Sequence, residues 1–354
     1  MIKRYFVLDS YQDTPFRSIN VGVAIFALLM LGYVTKNYAI TNFSSLGMMT
    51  LLYYQSLPWK QLLRRLFLIG FFLYLSFTLG VLAGNIVWIV PMTVGIIGFF
   101  CRFFLKLYKI PRPGGLFFAL LSAMGTTIHQ TPAQLLNTSL YFWLGILFSI
   151  GMAMLTKRLD QRPEQPVLSK SFQERYQDNP IIVLDSFFYG VALMLSIYIS
   201  RGLDFKNPYW MTLACAAVLL ADDLDSLKYR QVQYMIGAIG GLCVAALIFS
   251  ASLNALLLSL VIAVLYGFSQ FFMTRNYTIA NFFVNPTILL LVSFSQHNSY
   301  TSLIEARFLG IFLGGGLGLG LYWILSIGID HLVNTVSEHS ENLENWAEER
   351  EGES

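Results

Sequence analysis

Three aspartates within four positions, Asp222, Asp223 and Asp225, are followed by Lys228 and Arg230, and together they interrupt an otherwise apolar stretch. Grouped carboxylates repel one another, which pushes at least one pKa toward the range of a proton relay, while a pair with Arg230 would keep another ionised. A charged helix end among lipid headgroups explains the same residues without any relay. Asp185, in VLDSFFYG, is a second ionisable position, at about the place that Arg17 holds earlier in the chain. An Arg17 to Asp185 pair and a simple interfacial aspartate are both open. Glu305 and Arg307 could attract or gate an anion at the outer end of the last apolar run, although a spacing of two puts them on different faces of a helix. Asn281, Asn285 and Thr287 surround Pro286. Proline frees a carbonyl one turn back and biases the preceding residue away from helical dihedrals, so a kink or break is expected there. With Tyr209, Trp210 and Tyr277, these residues form the candidate substrate pathway.

Other chemistry lacks its residues. His129, His297, His331 and His339 have no partner at metal-ligand spacing, and Cys101, Cys215 and Cys243 sit inside apolar runs as packing residues. No nucleophile elbow, kinase set or nucleotide fingerprint occurs. The sequence predicts no enzyme, no metal and no cofactor.

The elements that must position these residues are membrane helices. The chain has 354 residues, 56% of them apolar and 12% charged, against about 25% charged in soluble domains. Apolar runs of about 20 residues, the length of a bilayer crossing, recur throughout. Twelve candidate spans lie near 19–34, 38–54, 66–84, 85–104, 115–128, 136–156, 181–200, 208–221, 235–252, 253–274, 276–294 and 306–327. An even number puts both termini on one face. With that face cytoplasmic, all but Lys36, Arg201, Lys206 and Arg307 of the 23 Lys and Arg fall inside, as the positive-inside rule requires. This bias accounts for the basic residues, so nucleic acid is not an expected partner.

The spans also repeat. Phe43 aligns with Trp210, Leu46 with Leu213 and Ile69-Gly70 with Ile236-Gly237 at an offset of 167; Phe117-Phe118 aligns with Phe282-Phe283 and Leu144-Gly145 with Leu309-Gly310 at 165. Six spans per copy make the copies parallel, related by an axis along the membrane normal, with a pathway near their interface. The expected fold is therefore an all-α polytopic membrane protein of about 12 helices in two parallel six-helix repeats with cytoplasmic termini. Its parts are a first half (1–158), a cytoplasmic linker (159–180), a second half (181–328) and an acidic tail (329–354). Short or interrupted segments at matching places, two with eight and five with eleven, point to the transport site. Gly310, Gly314 and Gly318 stack at four-residue spacing, a pattern for close helix packing. In the tail, Ile329, Leu332, Val336, His339, Leu343 and Trp346 keep a 3,4 spacing, so a helix should continue out of the last span.

Tyr209-Trp210, the acidic break from Asp222 to Asp225, Arg230 ahead of Ile236-Gly237, Asn276-Tyr277-Thr278, and Arg307 with Gly310 and Gly314 resemble the fusaric-acid-resistance-like (FUSC) family of integral membrane transporters, which includes aromatic acid exporters. The likeness covers most of 181–327, with a fainter copy in 17–156. The resemblance implies two six-span bundles and export of aromatic or other hydrophobic carboxylates driven by the proton gradient. The chain departs from the family in lacking large cytoplasmic domains, and its first half has Gln55-Ser56-Leu57 where the second has the acidic break. The expected function is a plasma-membrane secondary transporter exporting an organic anion; a passive anion channel and a non-transporting scaffold for envelope assembly are the alternatives. The expected partners are the lipid bilayer, a small organic anion and, as an option, a second copy of the chain.

Overall fold

The computed structural model describes residues 5–8, 14–111, 113–165, 170–221, 223–293 and 300–352, with side chains as far as residue 328. Among these, all regular structure is helical. In chain order the helices are α1 (Pro15–Thr35), α2 (Tyr38–Met48, extended by a 3-10 turn, Met49–Tyr53), α3 (Trp59–Gly84), α4 (Val90–Leu107), α5 (Leu116–Gly125), α6 (Pro132–Leu159), α7 (Phe172–Gln177), α8 (Ile182–Gly202), α9 (Tyr209–Val218), α10 (Leu224–Ser250), α11 (Ala255–Met273), α12 (Tyr277–Ser293) and α13 (Tyr300–Gly352). Their starts follow from local chemistry. Asn37, Thr131, Asp223 and Asn254 each accept a hydrogen bond from a first-turn backbone N–H, and Thr131 with Gln134 closes a capping box.

Eight of these helices are long and apolar enough to cross a membrane: α1, α3, α4, α6, α8, α10, α11 and the Tyr300–Gly328 part of α13. The other four expected spans are short. Helices α5 and α9 have 10 residues each, about 15 Å at the helical rise and half the hydrocarbon thickness. A short helix leaves backbone groups unpaired at membrane depth, which is tolerated only inside protein or along a cavity. All ten residues of α9 are buried accordingly. Helix α12 runs unbroken from Tyr277 to Ser293 with Pro286 inside it, so the expected break is not there. Its polar side chains lie along its own backbone, with Asn285 Nδ2 donating to Asn281 O (2.9 Å) and Thr287 Oγ1 to Phe283 O (2.7 Å). The ninth expected span also begins early: α10 starts at Leu224 and takes Asp225, Lys228 and Arg230 into its first two turns. Helix α13 does continue past the last span to Gly352, while the side chains of the tail's apolar face lie outside the described residues.

Packing interlocks the two halves. Helix α2 lies on α6 and α9 on α13, and α3 lies on α5 and α10 on α12, while α1 packs on α11 and α4 on α8 across the halves. The buried apolar residues form two clusters, one from the first half with Ile262 and Ala263 of α11, the other from the second half with Val90 and Val94 of α4. Leu290 of α12 joins the first cluster and Ala119, Leu120 and Ala123 of α5 join the second, so each core is completed by helices from the other half.

Candidate functional site

The four short helices surround a cavity of about 1070 Å³. Both halves form its wall: α1, α2 and α5 on one side, α9 to α12 on the other, and Arg307 of α13. One end is built from Tyr54–Ser56, the Lys109–Pro113 loop, Arg162 with Gln165, Leu220–Ala221 and Thr274–Asn276, where Lys109 and Gln165 are exposed. No described residue of the loops at the opposite end of the helices lines it, so among the described residues the cavity meets loops at one end and helices alone at the other.

Six basic residues belong to the wall, namely Arg17, Lys109, Arg162, Arg230, Arg275 and Arg307, and among the described residues no Asp or Glu does. Arg162 and Lys109 have carboxylate partners outside the wall. Arg162 binds buried Asp160 (2.8 Å), and Lys109 lies 3.7 Å from Asp178. Burial alone would raise the Asp160 carboxyl, but hydrogen bonds from Arg162 and Tyr54 hold it below the usual carboxylate range. Arg17 Nη2 donates to Leu52 O (3.0 Å), and Arg230 Nε donates to Ala217 O (2.8 Å) while its guanidinium lies 3.9 Å from the Tyr277 ring centre.

Deeper in, aromatic rings and guanidiniums alternate. Tyr277 faces Tyr234 at 6.0 Å between ring centres, and the Tyr234 hydroxyl accepts from Arg307 Nη2 (3.1 Å). Arg307 Nε donates to Asn285 Oδ1 (2.9 Å), its guanidinium sits 4.5 Å from the Trp210 ring centre, and Trp210 stacks on Tyr209 at 5.3 Å. Three glycines of α13 allow this approach. A β-carbon at Gly310 would lie 2.7 Å from Trp210 Cβ, one at Gly314 would collide with Met211 O, and one at Gly318 would meet Cys215 O at 3.3 Å. Helix α13 therefore rides directly on α9, with Arg307 one turn before the contact. Such a wall attracts anions through its charge and presents flat apolar surfaces beside that charge.

Of the residues expected along the pathway, Tyr209, Trp210, Tyr277, Asn281 and Thr287 line the cavity, and Asn285 stands behind the wall, holding Arg307. Arg230 lines it as well, but the described aspartates do not. Asp223 caps α10, its Oδ1 accepting from Ser226 N (2.8 Å) and its Oδ2 from Ser226 Oγ (2.6 Å). Those bonds hold its carboxyl below the usual range, opposite to the direction that a proton relay needs. Asp225 is exposed and pairs with Lys228 at 3.4 Å, and Asp222 lies outside the described residues. Asp185 binds α4 rather than Arg17. Arg102 grips it with Nε (2.9 Å) and Nη2 (3.1 Å), and Lys106 adds a contact at 3.0 Å. Arg307 is likewise not at an outer surface but 1% exposed, inside the bundle. Sequence reasoning passed over Tyr234, although it follows Arg230 by one helical turn and so shares its face. The first half's contributions, Arg17, Tyr54 and Gln55, carry no local signal.

Fold and cavity together define a polytopic helical membrane protein built around a basic, aromatic-lined cavity. Residues 195–321 match the family described as fusaric acid resistance protein-like, the family that the sequence resembles. The matched region runs from the end of α8 into α13 and includes Trp210, Arg230, Tyr234, Asn285 and Arg307. The chain is also similar to Uncharacterized membrane protein YvaC of Bacillus subtilis (strain 168), with 25% identity over 159 residues, 45% of this chain and 25% of that protein. The aligned part spans about a quarter of that relative's length. No solved structure matches.

Proposed function

We propose that this protein carries organic anions, aromatic carboxylates foremost, across the plasma membrane through the cavity between its two halves. The observation that carries this reading is the wall itself, with six Lys or Arg, no Asp or Glu among the described residues, and the Tyr209, Trp210, Tyr234 and Tyr277 rings between the charges. The two halves act as parallel six-helix copies joined by the 159–180 linker; the recurring order of long and short helices and the reciprocal α1–α11 and α4–α8 packing support this. With both termini cytoplasmic, the loops at the cavity mouth are the ones that face the cytoplasm. The cavity then loads from inside, and the direction of transport is export.

A passive anion path is the second reading, and one observation favours it over proton coupling through the acidic break. The described aspartates of that break are exposed, outside the cavity, and Asp223 is held ionised. Reconstituted proteoliposomes loaded with labelled benzoate test both readings. Efflux that depends on the protein supports anion transport, and its absence for a panel of aromatic and aliphatic carboxylates would remove it. Efflux that follows the membrane potential and ignores an imposed pH gradient selects the passive path.

A further inference from the structure

Among the arginines buried within the helical bundle, Arg102 and Arg307 differ in one respect. Arg102, near the end of α4, has Asp185 as a bidentate counter-ion. Arg307 is more deeply buried, at 1% exposure, yet its partners are the Asn285 amide, the Tyr234 hydroxyl and the Trp210 ring, all neutral. Its Nη1 is buried with no hydrogen-bond partner among the described residues, and so is Nε1 of Trp210, the residue whose ring lies against the same guanidinium. A cation at membrane depth without a counter-charge is costly, and each buried donor left unpaired adds to that cost. Two unmet donors on touching residues that both line the cavity, one of them charged, describe a seat for an acceptor that the described residues do not supply. Of the other basic residues of the wall, Arg17, Lys109, Arg162 and Arg275 belong to the loop end and Arg230 lies against Tyr277, so Arg307 is the cation that stands beside Trp210. A planar carboxylate matches that charge and the flat donor edge of a guanidinium, whereas a phosphate dianion would leave charge uncompensated.

We propose that Arg307 and Trp210 form the seat of the substrate's anionic group, a single carboxylate that accepts from Arg307 Nη1 and Trp210 Nε1, while Asn285 and Tyr234 hold the guanidinium in place. The seat deepens the transport reading and rests on it. Charges at the mouth gather anions, and the seat selects among them.

Binding of labelled benzoate to the full chain in lipid nanodiscs tests the seat, with chloride and inorganic phosphate as competitors. Arg307→Gln should weaken benzoate binding about tenfold or more, the scale of a lost hydrogen bond to a charged group. Trp210→Phe keeps a ring beneath the guanidinium and removes the one donor, and a several-fold loss with unchanged melting temperature is expected. Glu305→Gln, on the exposed face of α13, should bind as the unaltered protein does. Should Arg307→Gln fail to fold, Trp210→Phe decides. Unchanged affinity in Trp210→Phe and in folded Arg307→Gln overturns the seat while benzoate efflux leaves the transport reading standing. Displacement of benzoate by phosphate or chloride at lower concentration than by unlabelled benzoate overturns the carboxylate assignment. Loss of both binding and efflux in the unaltered protein removes the seat and the transport reading together.

Discussion

Among the charged side chains, what separates a structural residue from a working one is whether the chain itself answers the charge. Arg102 and Asp185 answer each other across α4 and α8, and Asp160 is answered by Arg162 and Tyr54. Arg307 is left for something else. Asp223 shows the same logic from the acidic side. Its folded pKa is lowered by the Ser226 bonds, so its contribution to stability is complete above the ordinary carboxylate pKa and is lost only as pH falls through the lower folded value. Between pH 5 and 8 it stays ionised. Asp223→Asn, which keeps an oxygen for the cap, should leave the pH profile of benzoate efflux over that interval unchanged; a profile that flattens or shifts would return Asp223 to proton transfer. The aspartates were legible in the sequence as a group, but their roles were not, because a carboxylate's pKa is set by neighbours that composition does not place.

At the scale of elements, short helices explain the cavity. An α9 of ten residues cannot reach both interfaces, and α2, α5 and α12 share the shortfall to differing degrees, so the eight long helices must enclose them and the space that they leave. Their lengths were readable as short apolar runs, which is why residues on α9 and α12 that line the cavity were singled out in advance. Pro286 misled because the expectation of a break considered α12 alone; the helix is packed along α10 and α11 and continues through the proline. Closeness between elements depends on glycine where α13 meets α9. Gly310→Val would drive α13 off Trp210, and a β-carbon placed 2.7 Å from Trp210 Cβ leaves no room without such a shift. A drop in melting temperature of the purified protein, together with weakened benzoate binding, is the expected result; a variant as stable as the parent would show that the contact yields easily.

At the scale of the whole molecule, the first and second halves of the chain are not independent in packing. Each cluster of buried residues borrows from the other half, α11 and α12 for the first and α4 and α5 for the second. Residues 1–158 and 181–354 expressed separately should therefore be protease-sensitive, and co-expression of the two pieces should restore a protected, associated pair. Protection of either piece alone would make the halves true domains, with α4 and α11 merely in contact across them.

The amino-acid order by itself determined the class of protein, since long apolar runs admit no solvent but lipid, and it determined where the helices stop, since caps and polar breaks act on their nearest neighbours. It also marked residues of the second half that line the cavity, through the matched short runs and the family resemblance. Only the tertiary structure decided which charges are answered. Asp185 found Arg102 at a separation of 83 residues and Arg307 found Asn285 and Tyr234 rather than a carboxylate, because electrostatic partners at membrane depth are chosen by which helices pack together. That choice leaves Arg307 Nη1 and Trp210 Nε1, on two residues of the cavity wall, without a hydrogen-bond partner among the described residues.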